Sequence, residues 1–296
     1  MLAFVFMTVL GAFPQQAQAQ PSEHSRTFKV SPLQKGDFLL LRGQPEEALK
    51  VFQQLWQKEP DNAYAVRGMV RAWQALGQLS QGAGFFEASL QRDPQSPNAV
   101  YALGYIDYLQ SRYESSRDRL QDALRQNPNH GLALNALAAA LTELKDYEGA
   151  LEKVRQAIEA DPDELMFYRN LKMIYVRSGQ TDKFEEEYRG LLARGETVRS
   201  KNFGLILAQL KRQASFKLYS EGKIDETLDA IREMLKIYKE IDHQPGIVAG
   251  LFSLAVLYEE RGEMDRALEN YREVIKINPQ HIQAREKVRL LDPKID

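Results

Sequence analysis

Four prolines, Pro60, Pro94, Pro128 and Pro162, stand 34 residues apart each time. Proline fills roughly one position in twenty, so three successive hits at one interval call for a structural cause. Proline has no N–H and disfavours helix in the residue before it. A fixed proline period therefore reads as a helix that ends at the same point of every repeat. A spacing of 34 suits a helix–turn–helix unit. With the proline at place 32 of each unit, repeats begin at residues 29, 63, 97 and 131.

Other side chains fall into the same frame. Place 8 holds Gly36, Val70, Gly104 and Ala138, and place 20 holds Ala48, Gly82, Ser116 and Ala150. Mostly small residues there let two helices approach closely. Place 24 carries Phe52, Phe86, Leu120 and Val154, the apolar knobs of the second helix. At place 15, Gly43, Gly77, Ser111 and Lys145 mark the turn between helices.

This register resembles the tetratricopeptide repeat family over about residues 29–279. The best single match begins at 248, with Leu254, Ala255, Tyr258, Gly262, Ala267, Tyr271 and Pro279 in place. A fifth repeat begins at 165 with Leu171, Tyr175, Gly179 and Tyr188, although Lys172 and Phe184 take its small positions and Glu196 replaces the proline. A sixth begins near 208 with Leu218, Gly222 and Ile231. Between Pro162 and Pro279 lie three periods plus fifteen residues, which we assign to 199–207 and 242–247 as longer helices or loops.

The resemblance implies an all-α solenoid of about seven helix-turn-helix repeats wound into a right-handed superhelix, closed by a C-terminal capping helix. Stacking is required because one such pair cannot bury its own apolar face. Repeats one to five span 29–198, repeats six and seven with longer connections span 199–279, and the capping helix and tail span 280–296. A concave groove lined by the first helices, mainly at places 2, 5, 9 and 12, is expected to hold a partner's extended peptide or helix.

Those places give Tyr64, Arg67 and Arg71 in repeat two and Tyr101, Tyr105 and Tyr108 in repeat three. Repeat four gives Asn135, repeat five Met166, Arg169 and Met173, and repeat six Arg212, Phe216 and Tyr219. Tyrosine and arginine dominate interface energetics, and methionine adapts to varied ligands. A tyrosine stripe at helical spacing also serves plain packing, and that reading stays open. Chaperone-binding relatives clamp a terminal carboxylate with lysines and asparagines. Asn135 and Asn170 lie near such places, but the basic partners do not recur in register, so that activity is not carried over.

Composition sets the remaining limits. With 44% hydrophobic and 27% charged residues the chain is globular, and a net charge of −2 gives no global field toward nucleic acid. The absence of cysteine removes disulfides, thiolate metal sites and cysteine nucleophiles. Three of the four histidines, His130, His243 and His281, fall at repeat boundaries and His24 in the N-terminal tail, without ligand spacing. No glycine-rich phosphate loop or nucleophile elbow is present. The expectation is a protein-binding scaffold, not an enzyme, with no cofactor.

Leu2–Phe13 is a twelve-residue apolar run, followed by Pro14 and by Ala17-Gln18-Ala19. This reads as a secretory signal peptide over 1–19, cut before Gln20, although no Lys or Arg precedes the run. A flexible segment over 20–28 would follow it. The run is too short to span a bilayer, so no membrane span remains after cleavage. Export points to the periplasm or cell envelope, in an assembly, secretion, pilus or polysaccharide-export system. The alternative is a periplasmic holdase for envelope proteins in transit. One charge block remains, the basic Arg199, Lys201, Lys211, Arg212 and Lys217, which follows the acidic Asp182, Glu185, Glu186, Glu187 and Glu196. These form either two solvated faces that pair with each other or a docking patch for an acidic partner, envelope lipid or polysaccharide.

Overall fold

A computed structural model of the protein describes residues 30–292. The expected signal peptide over 1–19, the expected flexible segment over 20–28 and the last four residues lie outside the described residues. Fifteen helices and no strand occur among the described residues. The first nine are α1 (Pro32–Leu41), α2 (Pro45–Lys58), α3 (Ala63–Ala75), α4 (Leu79–Arg92), α5 (Pro97–Leu109), α6 (Tyr113–Gln126), α7 (Gly131–Glu143), α8 (Tyr147–Ala160) and α9 (Leu165–Arg177). The remainder are α10 (Thr181–Ala193), α11 (Thr197–Ser220), α12 (Ile224–Glu240), α13 (Gln244–Glu260), α14 (Met264–Ile277) and α15 (Ile282–Leu291). Helices α3, α5, α7 and α9 begin at 63, 97, 131 and 165, so the 34-residue period of the prolines is the period of the helix pairs.

Local chemistry explains the boundaries. Asn62 and Ser96 accept the Ala65 and Ala99 N–H groups at 3.1 and 3.4 Å, satisfying donors that a helix start leaves open. At the turns, place 15 is left-handed: Gly43 has φ 71° and Gly77 φ 69°, whereas Ser111 and Lys145 adopt φ 60° and 65° with a side chain present. There the Gln44 N–H reaches the Leu39 carbonyl at 2.9 Å, and Asp146 reaches Leu141 at 2.9 Å, closing the preceding helix.

Chain contacts divide the described residues into two compact units, 30–184 and 185–292, with the division inside α10. In the first unit each helix packs on the next, and first helices also touch one another from repeat to repeat. The small places do the work expected of them. At place 8 a Cβ on Gly36 would sit 2.4 Å from the Phe52 ring, and at place 6, which the register did not single out, a Cβ on Gly68 would sit 2.5 Å from it, so the ring fills the space between α1 and α3. Ser116, fully buried, spends its hydroxyl on the Gly104 carbonyl at 2.8 Å.

The unit from 185 keeps the pairing but not the lengths. Helices α11, α12 and α13 have 24, 17 and 17 residues, against 13 and 14 for α3 and α4. The residues 199–207 lie wholly within α11 and most of 242–247 starts α13, so the surplus is helix rather than loop. Phe203, Ile206 and Leu207 are buried there, as are Tyr238, Ile241 and Ile247. The final helix α15 buries Ala284 and leaves Arg285 and Arg289 exposed, but Ile282 and Leu290 are exposed as well, so its outer side is mixed rather than the polar surface expected of a capping helix.

Candidate protein-binding face

Within the first unit, curvature shows which side is concave. The Tyr64 hydroxyl, at the start of α3, donates to Asp161 Oδ2 at 2.6 Å, just past the end of α8. A residue of repeat two thus reaches the close of repeat four, which requires the N-terminal ends of the first helices to turn inward. Burial, Asp161 and Glu164 hold the Tyr64 phenol well above its usual range, so it remains a donor.

The thirteen expected site residues divide into ten in this unit and three in the other. Two of the ten are corrections. Tyr101 is 2% exposed, its ring stacked on Tyr105 at 6.0 Å and tilted on His130 at 5.0 Å, so it is core and presents no surface. Asn135 is buried as well and accepts from Asn170 Nδ2 at 2.8 Å, joining α7 to α9. Repeat four stacks between repeats three and five, and its neighbours cover what the helix wheel leaves open.

The rest stay at the surface to different degrees. Tyr105 and Tyr108 are half-buried, the latter tilted against Tyr113 at 5.9 Å. Met166 is half-buried, Arg169 exposed, and Met173 47% exposed. Val176 at place 12 of the same helix is 45% exposed, and sequence reasoning passed over it although its place was one of the four considered. Ala139, at place 9 between Tyr105 and Met173, is too small to fill the interval.

Charge on this face is partly spent. Arg71 pairs with Asp37 at 2.6 Å, and Arg177 with Glu143, each link running between adjacent first helices. Arg67 and Arg169 make no hydrogen bond or ion pair among the described residues. In the second unit, Tyr219 donates to Glu260 at 3.1 Å, and Arg212 and Phe216 are half-buried. The basic block there is largely paired: Lys211 lies 2.6 Å from Glu233 and 3.5 Å from Glu185, and Arg199 3.5 Å from Glu196.

At the N-terminal ends of α5 and α7 a polar hollow of about 300 Å³ is lined by Asp61, Tyr64, Asn98, His130 and Asp161 among others. Its wall carries two linked bonds: Asn98 Nδ2 donates to the Pro60 carbonyl at 3.2 Å, and His130 Nε2 bonds Asn98 Oδ1 at 2.9 Å. Among the described residues no cluster of histidine and carboxylate groups could hold a metal ion, and no helix is long and apolar enough to cross a membrane.

Sequence models of the tetratricopeptide repeat match residues 39–103, 101–164 and 248–281. The Protein CTR9 homolog of Arabidopsis thaliana is 24% identical over 281 residues, covering 84% of this chain and 26% of its own length. Hsp70-Hsp90 organizing protein 3 of the same plant is 24% identical over 168 residues, covering 47% of this chain and 29% of its own. The chain spans about a quarter to a third of the length of the curated relatives it matches. Among solved structures, the Cut9–Hcn1 hetero-tetramer of the APC/C aligns over 88% of this chain and 55% of that one, at 13% identity and a TM-score of 0.47.

Proposed function

Because this chain belongs to the tetratricopeptide repeat family, we propose that it is a protein-binding scaffold whose first-helix face in residues 30–184 takes a partner's peptide or helix. One observation carries the reading. Met173 and Val176 stay about half exposed on α9 beside a place that Ala139 leaves low, on the face that also holds the unpaired Arg67 and Arg169. Apolar surface and uncompensated charge together are what a bound segment would cover. Tyr105, Tyr108 and Met166 belong to the same surface, with Tyr64 and Arg71 at its margins.

The test is capture of partners from the native source by the tagged protein, before and after Met173→Glu with Val176→Glu. We expect unchanged helicity and loss of the captured partner; equal recovery removes the assignment. Tyr101 is left out of that test, since replacing a core ring confounds binding with folding.

The same reading makes the protein an exported adaptor of the cell envelope, supported by the Leu2–Phe13 run and the Ala17-Gln18-Ala19 site. N-terminal mass spectrometry of the purified protein should find Gln20 first, and an intact Met1 contradicts export by cleavage. An adaptor binds one partner at a defined stoichiometry, whereas a holdase suppresses aggregation of many clients.

A further inference from the structure

Three histidines share one unusual task. His130 and His243 precede the first helices α7 and α13, His281 precedes the final helix α15, and each turns Nδ1 onto the backbone of the helix it starts. Nδ1 accepts the Ala133 N–H at 3.2 Å, the Gly246 N–H at 3.0 Å and the Ala284 N–H at 3.2 Å. Histidine thus stands where asparagine, serine or aspartate usually caps a helix. Each ring is also wedged against the preceding first or second helix: His130 on Tyr101 of α5, His243 on Tyr238 of α12 at 5.2 Å, and His281 on Phe252 of α13 at 4.8 Å. A single side chain therefore both starts a helix and joins it to the repeat before.

We propose that these three histidines are acid-operated joints, which hold successive repeats together while the imidazole is neutral and release them when Nδ1 takes a proton. The chemistry follows from the bonds. Only the bare Nδ1 lone pair can accept a backbone N–H. At His130 the tautomer is set from the other side, since Nε2 bonds Asn98 Oδ1. Protonation makes Nδ1 a donor facing a donor and puts a cation at the positive end of a helix.

The surroundings do not soften that penalty. His130 faces Asn98 and Tyr101, with Tyr64, Asp61 and Asp161 around the hollow, yet neither carboxylate pairs with it. His243 faces Tyr238 and the Lys201 ammonium, which opposes its charge, while the adjoining Asp242 carboxylate is taken by Gln244 at 2.6 Å. His281 faces Phe252, without a carboxylate partner. Burial lowers all three, His130 to about 4 from an ordinary 6.5, and Lys201 adds to the effect at His243. A folded value below the unfolded one means that the unfolded chain takes the proton first. The stabilisation is complete above about pH 6.5 and is lost as pH falls toward the folded values.

The experiment compares the wild-type protein with the triple variant His130→Asn, His243→Asn, His281→Asn. Asparagine keeps a capping oxygen and does not titrate. Thermal unfolding is followed at steps from about pH 7.5 to 4.5. Carboxylates titrate alike in both proteins, so we expect the wild-type midpoint to fall more steeply than that of the variant. Equal slopes overturn the proposal. In the wild-type protein alone, imidazole NMR should place His130 near 4, with amide protection at Ala133, Gly246 and Ala284 falling as each ring protonates. For Ala133 the loss by pH 4 should be on the order of a hundredfold. Rings that titrate at 6.5 or above, or amides that keep their protection through protonation, overturn it as well.

Discussion

The two units solve one packing problem in different ways. Up to residue 184 the first helices α3, α5, α7 and α9 have 13 residues, and the second helices α2, α4, α6 and α8 have 14, so a single 34-residue unit recurs without insertion, while α1, capped by Ser31, is shorter at 10 residues. From 185 the turn places persist, with Gly222 and Gly262 left-handed at φ 74° and 76°, but three helices grow at the ends away from those turns. The start of α11, the end of α12 and the start of α13 lengthen together. Helix α12 packs on both α11 and α13, so each added turn is covered by another added turn. Gly204 of α11 shows how closely: a Cβ there would lie 2.7 Å from Ile241 and 3.1 Å from Tyr188. A repeat can therefore gain length without losing its interface, provided its neighbours gain it at the same edge.

That comparison can be broken most forcefully at Phe52. It is 1% exposed against Gly36 and Gly68, and Phe52→Ala should cost about 3–5 kcal/mol in chemical denaturation. A loss below about 1 kcal/mol would mean that the tight pairing of the first unit is not set by ring against glycine. Overpacking probes the units side by side. Ala150→Leu fills a fully buried small place in the first, and Gly204→Ala intrudes on Ile241 in the second. Each should cost about 1–3 kcal/mol, and a neutral Gly204→Ala would show that the added turns are loose. The smallest effect has the opposite sign. Lys145, at φ 65°, and Asp242, at φ 50°, hold left-handed turns with a side chain present. Lys145→Gly should raise stability by about 0.5–1 kcal/mol, and Asp242→Gly by less, because aspartate tolerates that conformation better. A loss of thermal stability in Lys145→Gly would show that its side chain contributes more than the strain costs.

Much of the fold was legible because its determinants are short-range. Proline at place 32, glycine at place 15 and small residues at places 8 and 20 act within one helix pair, so spacing alone exposes them. The fifteen surplus residues were countable but ambiguous, since Phe203, Ile206 and Leu207 suit a buried helix as well as an apolar loop. The proposed binding face was less legible. Tyr101, Tyr105 and Tyr108 share one helix face, yet the first is sealed by Tyr105 and His130 while the other two stay half-open. The histidines looked inert at repeat boundaries because nothing in their spacing says that Nδ1 would find a backbone N–H.

What the amino-acid order determined by itself was the unit: its period, its turns and the alternation of small and large residues that makes two helices pair. What only the tertiary structure decided was which surfaces remain free. Exposure depends on neighbours one or two repeats away, as the bond from Tyr64 to Asp161 shows across 97 residues. Distance along the chain carries no record of such contacts until the repeats have stacked.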